Sequence, residues 1–167
     1  MRTVVVGASS GLGRCIGIGL AKRGARVALL ARRLERLESA AREAGKDALA
    51  IRCDVTDAGS CRAAIAAAAT ELGGIEALVY APAIGPLARL VDVDADTWRR
   101  AFDTNVVGAS IATAAALPHL QKSRGAAAYL SSVSASMRRV VRWIQPLHAG
   151  QRPAKPLPSH QARTSGL

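Results

Sequence analysis

Residues 3–13, Thr-Val-Val-Val-Gly-Ala-Ser-Ser-Gly-Leu-Gly, constrain the fold more than any other stretch of the chain. Thr3, Val4, Val5 and Val6 are β-branched, which suits a strand buried on both faces, as in a parallel sheet. Gly7, Gly11 and Gly13 permit turns and close approaches that a Cβ would block. From Leu12 to Lys22 the apolar residues and small glycines recur at helical spacing. The free N–H groups of that helix and its positive dipole end therefore face back into residues 7–13, the arrangement that holds an anion. Strand, turn and helix make a cradle for a diphosphate, with Gly7, Ser9, Ser10, Gly11, Leu12 and Gly13 as its candidate contacts. The alternative is a glycine-rich turn with no ligand, which the strand before it and the helix after it disfavour.

The rest of the chain repeats the alternation. Lys22-Arg23-Gly24 is a helix stop, with cations in the last turn and a glycine able to take the left-handed cap. Residues 26–31 form a second buried strand. A helix follows with Leu34, Leu37 and Ala41 on one face and Glu38–Arg42 as an i,i+4 pair, ended by Gly45. Residues 48–53 are a third strand, followed by Asp54-Val55-Thr56-Asp57 and an alanine-rich helix to about Leu72. Residues 75–80 are a fourth strand, and a loop runs through Pro82 and Pro86. A long helix spans from Asp94 or Asp96 to about His119, and residues 126–131 form a fifth strand. Strands separated by helices predict right-handed βαβ units and an α/β, doubly wound parallel sheet. The ligand then sits at the carboxyl ends of the strands.

A dinucleotide fold distinguishes its two cofactors at the end of the second strand. A carboxylate there accepts from the 2′-hydroxyl of NAD, whereas an arginine pairs with the 2′-phosphate of NADP. This chain has Arg32 and Arg33, with no acid until Glu35. NADP is therefore the expected cofactor and NAD the second choice. The competing reading, two arginines solvating the first turn of a helix, is opposed by the helix dipole.

Gly-x-x-x-Gly-x-Gly differs from the commoner Gly-x-Gly-x-x-Gly fingerprint. It resembles the cofactor loop of the short-chain dehydrogenases/reductases, with Val6 where the family usually has Thr. The resemblance covers residues 2–136 and implies a Rossmann-like domain and an NADP-dependent oxidoreductase acting on a small-molecule carbonyl/alcohol pair. Asp54-Val55 matches the family pair that contacts the adenine, although Asp54 is equally readable as a turn or cap residue. Asn105, in Phe102-Asp103-Thr104-Asn105-Val106-Val107-Gly108, resembles the family asparagine that supports a water in the proton relay; a solvated mid-helix residue is the alternative. Ser132 in Leu130-Ser131-Ser132-Val133 matches the serine that holds the substrate oxygen, with Ser131 as fallback. Tyr80-Ala81-Pro82-Ala83 departs from the family's Asn-Asn-Ala-Gly, whose asparagines tie neighbouring strands together.

The resemblance then stops. A carbonyl that gains hydride becomes an alkoxide and needs a proton, which the family supplies from Tyr-x-x-x-Lys; a lone tyrosine with pKa near 10 is poorly poised for that. Gln145 and Ala149 stand at those places, and the two tyrosines, Tyr80 and Tyr129, lie upstream. His148 is a formal proton carrier in an Arg/Pro-rich stretch. Residues 137–167 hold four of the seven prolines, six Arg/Lys and no acid, so no periodic element is expected there. The expected organisation is a Rossmann-like domain over 1–136 and an irregular basic tail over 137–167. The tail is read either as an out-of-frame continuation of a GC-rich gene or as a natural extension of a nucleotide-binding half. A truncated nucleotide-binding protein without turnover is accordingly the second functional reading.

Charge and cysteines set the remaining expectations. The net charge of +11 draws six of its units from residues 137–167, while 1–136 carries 17 basic and 12 acidic residues. That distribution disfavours a nucleic-acid-binding face, and the tail lacks aromatic interleaving beyond Trp143. No apolar run reaches membrane-spanning length, and Met1-Arg2 leads directly into the first strand, leaving no room for a signal peptide. Cys15, Cys53 and Cys61 show no metal or redox spacing and read as buried or free thiols in a reducing cytosol. A family-type homo-oligomer is not expected, since the resemblance ends before the part that follows the fifth strand.

Overall fold

The structure, a computed structural model, describes residues 1–85 and 88–132. The boundary expected near residue 136 and the tail positions Gln145, His148 and Ala149 lie outside the described residues. In chain order the elements are β1 (Arg2–Val6), α1 (Gly11–Lys22), β2 (Arg26–Ala31), α2 (Leu34–Ala44), β3 (Leu49–Arg52), α3 (Ala58–Leu72) and β4 (Ala77–Tyr80). A 3-10 turn (Leu90–Asp92), α4 (Ala95–Phe102), a π-helical turn (Asp103–Val107), α5 (Gly108–Ser123) and β5 (Ala126–Tyr129) complete them.

The five strands form one parallel sheet in the order β3-β2-β1-β4-β5. β1 is central because its side chains need cover on both faces: Thr3, Val4, Val5 and Val6 are all fully buried. Val4 and Val6 join Leu30, Ile65, Leu72, Leu78, Ala112 and Ala116 beneath α3 and α5. Val5 joins Ile18, Leu29, Leu37 and Val79 beneath α1 and α2. Each fully buried Leu or Ile in these layers contributes about 1.5–3 kcal/mol relative to exposure. Val6 pairs with Leu30 on one side and Tyr80 on the other, so β1 and β4 end level and β2 runs one residue further.

At the opposite end of the sheet, arginines satisfy the last carbonyls of α3. Arg26 donates to the Leu72 and Glu71 carbonyls at 2.9 and 3.0 Å, and Arg2 donates to Gly73. These groups would otherwise be orphan acceptors.

Local details depart from the sequence reading. Leu34 is exposed rather than packed, and α2 buries Leu37 and Ala40. Arg14 of α1 takes Glu43 of α2 at 2.5 Å, whereas no Glu38–Arg42 pair forms among the described residues. The long helix does not stop near His119. It carries Pro118 and ends at Ser123, because its stop is the left-handed Arg124 (φ +53) followed by Gly125. A Cβ on Gly125 would lie 2.1 Å from the Glu76 carbonyl oxygen, so the chain re-enters the sheet only through a glycine. β5 ends at Tyr129, two residues before the expected Ser131.

β5 pairs with β4 along one edge, and no described residue pairs with its other edge. Three of its four residues are exposed. A strand edge left unpaired templates pairing with another chain. The 167-residue chain is therefore expected to self-associate as concentration rises, and Ala128→Lys on the exposed strand to suppress this. Sedimentation velocity across a concentration series checks it; a monodisperse wild type at high concentration contradicts it.

Candidate active site

The glycine loop leaves β1 where the strand order reverses. Gly7 and Ala8 both donate their N–H groups to the Leu30 carbonyl, at 2.7 and 3.1 Å, which fastens the loop to β2. Gly7 has φ +82 and Gly11 φ +56. A Cβ on Gly7 would lie 2.8 Å from the Pro82 nitrogen, and one on Gly13 would lie 2.4 Å from the Gly7 carbonyl oxygen. Gly11 faces open space, so its need for glycine is conformational and that of Gly13 is spatial. Leu12 points outward with 69% of its surface exposed, so it offers the loop backbone rather than packing.

The start of α1 is left open to an anion. Ser10 is the N-cap, yet its hydroxyl makes no cap bond, and the first turn has no acidic residue. Instead Arg33 reaches across from the end of β2 and donates to Ser10 Oγ at 2.9 Å and Ser9 Oγ at 3.1 Å. A guanidinium and two hydroxyls thus converge beside the loop. Arg32 is exposed and makes no such bond among the described residues. Its charge acts on Asp54, after β3.

Asp54 is a turn residue in this arrangement. Its Oδ1 accepts from the Thr56 N–H at 3.0 Å and the Thr56 hydroxyl at 2.8 Å. Partial burial pushes the carboxyl up, but the two Thr56 hydrogen bonds, with Arg32 and Arg52, outweigh it and hold the carboxyl below its ordinary value. Its second oxygen takes no hydrogen bond from the described residues, and Asp57 rather than Asp54 caps α3, accepting from Ser60. Val55 is buried, and a Cβ on Gly108 would lie 2.9 Å from its carbonyl oxygen.

At the end of β4, two backbone bonds hold the strands that the family's asparagines would tie. Ala81 donates to the Val6 carbonyl at 3.1 Å and Leu130 to the Tyr80 carbonyl at 3.0 Å. Asn105 lies in the π-turn, and its amide is used at both ends: Oδ1 accepts from Ile84 N–H at 2.8 Å and Nδ2 donates to Ile84 O at 2.7 Å. Asn105 thereby pins the loop after β4, a role that its sequence context did not reveal. Ser131 and Ser132 are exposed just beyond β5.

The structure therefore gathers Gly7–Gly13, Arg32, Arg33, Asp54 and Val55 around the ends of β1, β2 and β3. It sets Asn105 and Ile84 beyond β4 and Ser132 beyond β5. Two features escaped the sequence reading. The phenol of Tyr80 donates to the Thr104 carbonyl within the π-turn. Cys53 and Cys61, unremarkable in spacing, are both fully buried; the neighbouring Cys61 thiol, then burial, pushes the Cys53 thiol far up. Among the described residues no group of three or more His, Cys, Asp or Glu is placed to hold a metal, and no helix is long and apolar enough to cross a membrane.

A doubly wound parallel sheet with a glycine loop at its reversal point and an open helix start is the architecture of the α/β dinucleotide-binding folds. The family model described as short chain dehydrogenase matches residues 2–143, and the chain belongs to that family. Cis-4-hydroxycyclohexanecarboxylate dehydrogenase of Sinomonas cyclohexanicum is 37% identical over 134 residues, covering 78% of this chain and 54% of the relative. The human dehydrogenase/reductase SDR family member 7 is 34% identical over 137 residues, 77% of this chain and 40% of the relative. Among solved structures, a short-chain type dehydrogenase/reductase from Mycobacterium marinum superposes with TM-score 0.78 at 31% identity, over 85% of this chain and 60% of that one. An alcohol dehydrogenase from Thermococcus sibiricus, complexed with 5-hydroxy-NADP, gives 0.79 at 27% identity, over 84% and 61%. The chain thus spans about half the length of the curated relatives it matches.

Proposed function

We propose that this chain carries the NADP(H) site of an oxidoreductase that interconverts a carbonyl and an alcohol on a small molecule. The observation that carries the reading is Arg33 on Ser9 and Ser10: one guanidinium and two hydroxyls beside an uncapped helix start, with no carboxylate at the end of β2. That donor set fits a ribose 2′-phosphate next to a diphosphate. The bound nicotinamide would supply or accept hydride. Gly7 to Gly13 would hold the diphosphate, Asp54 and Val55 the adenine, Ser132 the substrate oxygen, and Asn105 a water. The Thermococcus relative's complex with an NADP derivative supports the cofactor choice. In this proposal residues 1–136 form the dinucleotide-binding domain, residues 137–167 take no part in cofactor binding, and the cytosol is the compartment.

The test is a fluorescence titration with NADPH and NADH. Arg33→Ser removes a charge-assisted phosphate contact, for which about 1.5–3 kcal/mol is expected, or roughly 10- to 150-fold weaker NADPH binding. NADH binding should stay within about twofold. Arg32→Asp adds a carboxylate at the end of β2 and should turn the preference toward NADH. An unchanged NADPH/NADH ratio in both variants would remove the arginines from the site.

A second reading, nucleotide binding without turnover, rests on the sequence itself. It holds no Tyr-x-x-x-Lys, and its two tyrosines are Tyr80 and Tyr129. NADPH binding accompanied by no substrate-dependent oxidation selects it.

A further inference from the structure

Tyr80 occupies a position no cofactor contact would require of it. It closes β4, is 3% exposed, and is packed with Val6, Val55, Cys53 and Cys61 in the layer beneath α3 and α5. Its hydroxyl leaves that layer at one point and donates to the Thr104 carbonyl. Thr104 lies in the π-turn, where the Gly108 N–H reaches back five residues to Asp103. A widened turn of this kind is a weak point in a helix and needs outside support. The fit around the phenol is close, since a Cβ on Gly108 would lie 2.7 Å from Tyr80 Oη. The next residue of the turn, Asn105, holds both backbone groups of Ile84.

We propose that Tyr80 is a positioning residue. Its hydroxyl sets the π-turn, the π-turn aims Asn105, and Asn105 fixes residues 81–85 as the wall of the second half of the dinucleotide crevice. Three hydrogen bonds join strand end, turn and loop into one unit, Tyr80–Thr104 and the pair Asn105–Ile84. The unit also bears on the glycine loop, because Pro82 packs against Gly7 at the distance that excludes a Cβ there. Tyr80 is a strut and not a proton donor: burial, and then the Cys61 and Cys53 thiols, push its phenol above the ordinary tyrosine value. The mechanical part stands on the hydrogen bonds alone, whereas its consequence for ligand rests on the NADP(H) reading above.

The two parts are tested separately. Hydrogen exchange by mass spectrometry on the unliganded chain reads the mechanics. Tyr80→Phe, which keeps the ring and removes the hydroxyl, should speed exchange in peptides covering 81–85 and 103–108 by about tenfold. Peptides from β1 and β2 should be unchanged. Asn105→Ala, at an exposed position, should reproduce the 81–85 signature should the core variant fail to fold. The ligand part compares NADPH with adenosine 2′,5′-bisphosphate, which fills only the first half of the crevice. Tyr80→Phe should weaken NADPH about tenfold and leave the bisphosphate within about twofold. In a double-mutant cycle with Asn105→Ala the losses should be less than additive. Unchanged exchange at 81–85, uniform acceleration in every peptide, or equal weakening of both ligands would overturn the strut. A wild type that binds neither ligand would sink the cofactor reading, while the exchange experiment still decides the role of Tyr80.

Discussion

NADPH mixed with this 167-residue chain and a panel of ketones and aldehydes is expected to show no substrate-dependent oxidation, even where NADPH itself binds. Reduction of a carbonyl requires a proton at the nascent alkoxide, and a positioned acid commonly contributes 10²–10⁴ in rate. Neither tyrosine of the chain is available for that. Tyr80 is buried and gives its proton to the Thr104 carbonyl. Tyr129 lies 2.6 Å from Thr113 Oγ1, whose own proton goes to the Ala109 carbonyl, so the Tyr129 hydroxyl is the donor of that pair. A general acid tied in this way is not presented to a substrate beside Ser132. The rate should therefore sit at the no-enzyme background for every carbonyl. Substrate-dependent oxidation that disappears in Ser132→Ala would overturn this, and His148→Ala would then identify whether the imidazole carries the proton.

The parts of the site that were legible in the sequence are those that act through backbone geometry. Gly7, Gly11 and Gly13 announce themselves because no other residue fits, and Thr3–Val6 because a strand covered on both faces must be apolar throughout. Arg32 and Arg33 were legible as a pair but not as individuals. Which of them turns toward Ser9 and Ser10 is set by α2 starting at Leu34, a matter of one residue in a helix boundary. The pairing of Asn105 with Ile84 was not legible: its amide meets a backbone 21 residues away, and such pairings carry no periodicity. The π-turn has no sequence signature either, since Asp-Thr-Asn-Val-Val reads as ordinary helix. The Asn-Asn-Ala-Gly pattern, whose asparagines tie neighbouring strands, is broken here at Tyr80-Ala81-Pro82-Ala83. The ladder supplies those ties through Ala81 and Leu130, and Tyr80 spends its hydroxyl elsewhere. The end of the long helix, expected near His119, lies four residues later, past Pro118. A helix tolerates the loss of one internal hydrogen bond when a later turn, here Arg124-Gly125, provides the stop.

Two glycines of α1 should respond to alanine with opposite signs. Gly13→Ala places a methyl 2.4 Å from the Gly7 carbonyl oxygen and 2.9 Å from its carbon, both of them backbone. No side chain can rotate away, because the Gly7 and Ala8 N–H groups are themselves fixed on the Leu30 carbonyl. Either α1 retreats from the loop or the loop leaves β2, and both movements open the proposed diphosphate cradle. A loss of about 3 kcal/mol in stability is expected from overpacking against backbone. NADPH binding should become undetectable in the same titration. Gly19→Ala is the control on the same helix. Nothing lies within 4 Å of its added methyl, and its φ is not positive. Alanine there lowers the entropy of the unfolded chain and favours helix, so stability should rise by roughly 0.5–1 kcal/mol. Its NADPH affinity should match that of the wild type. Urea denaturation of the three proteins side by side reads both signs. If Gly13→Ala proved as stable as Gly19→Ala and still bound NADPH, the close approach of α1 to Gly7 would not be what shapes the site.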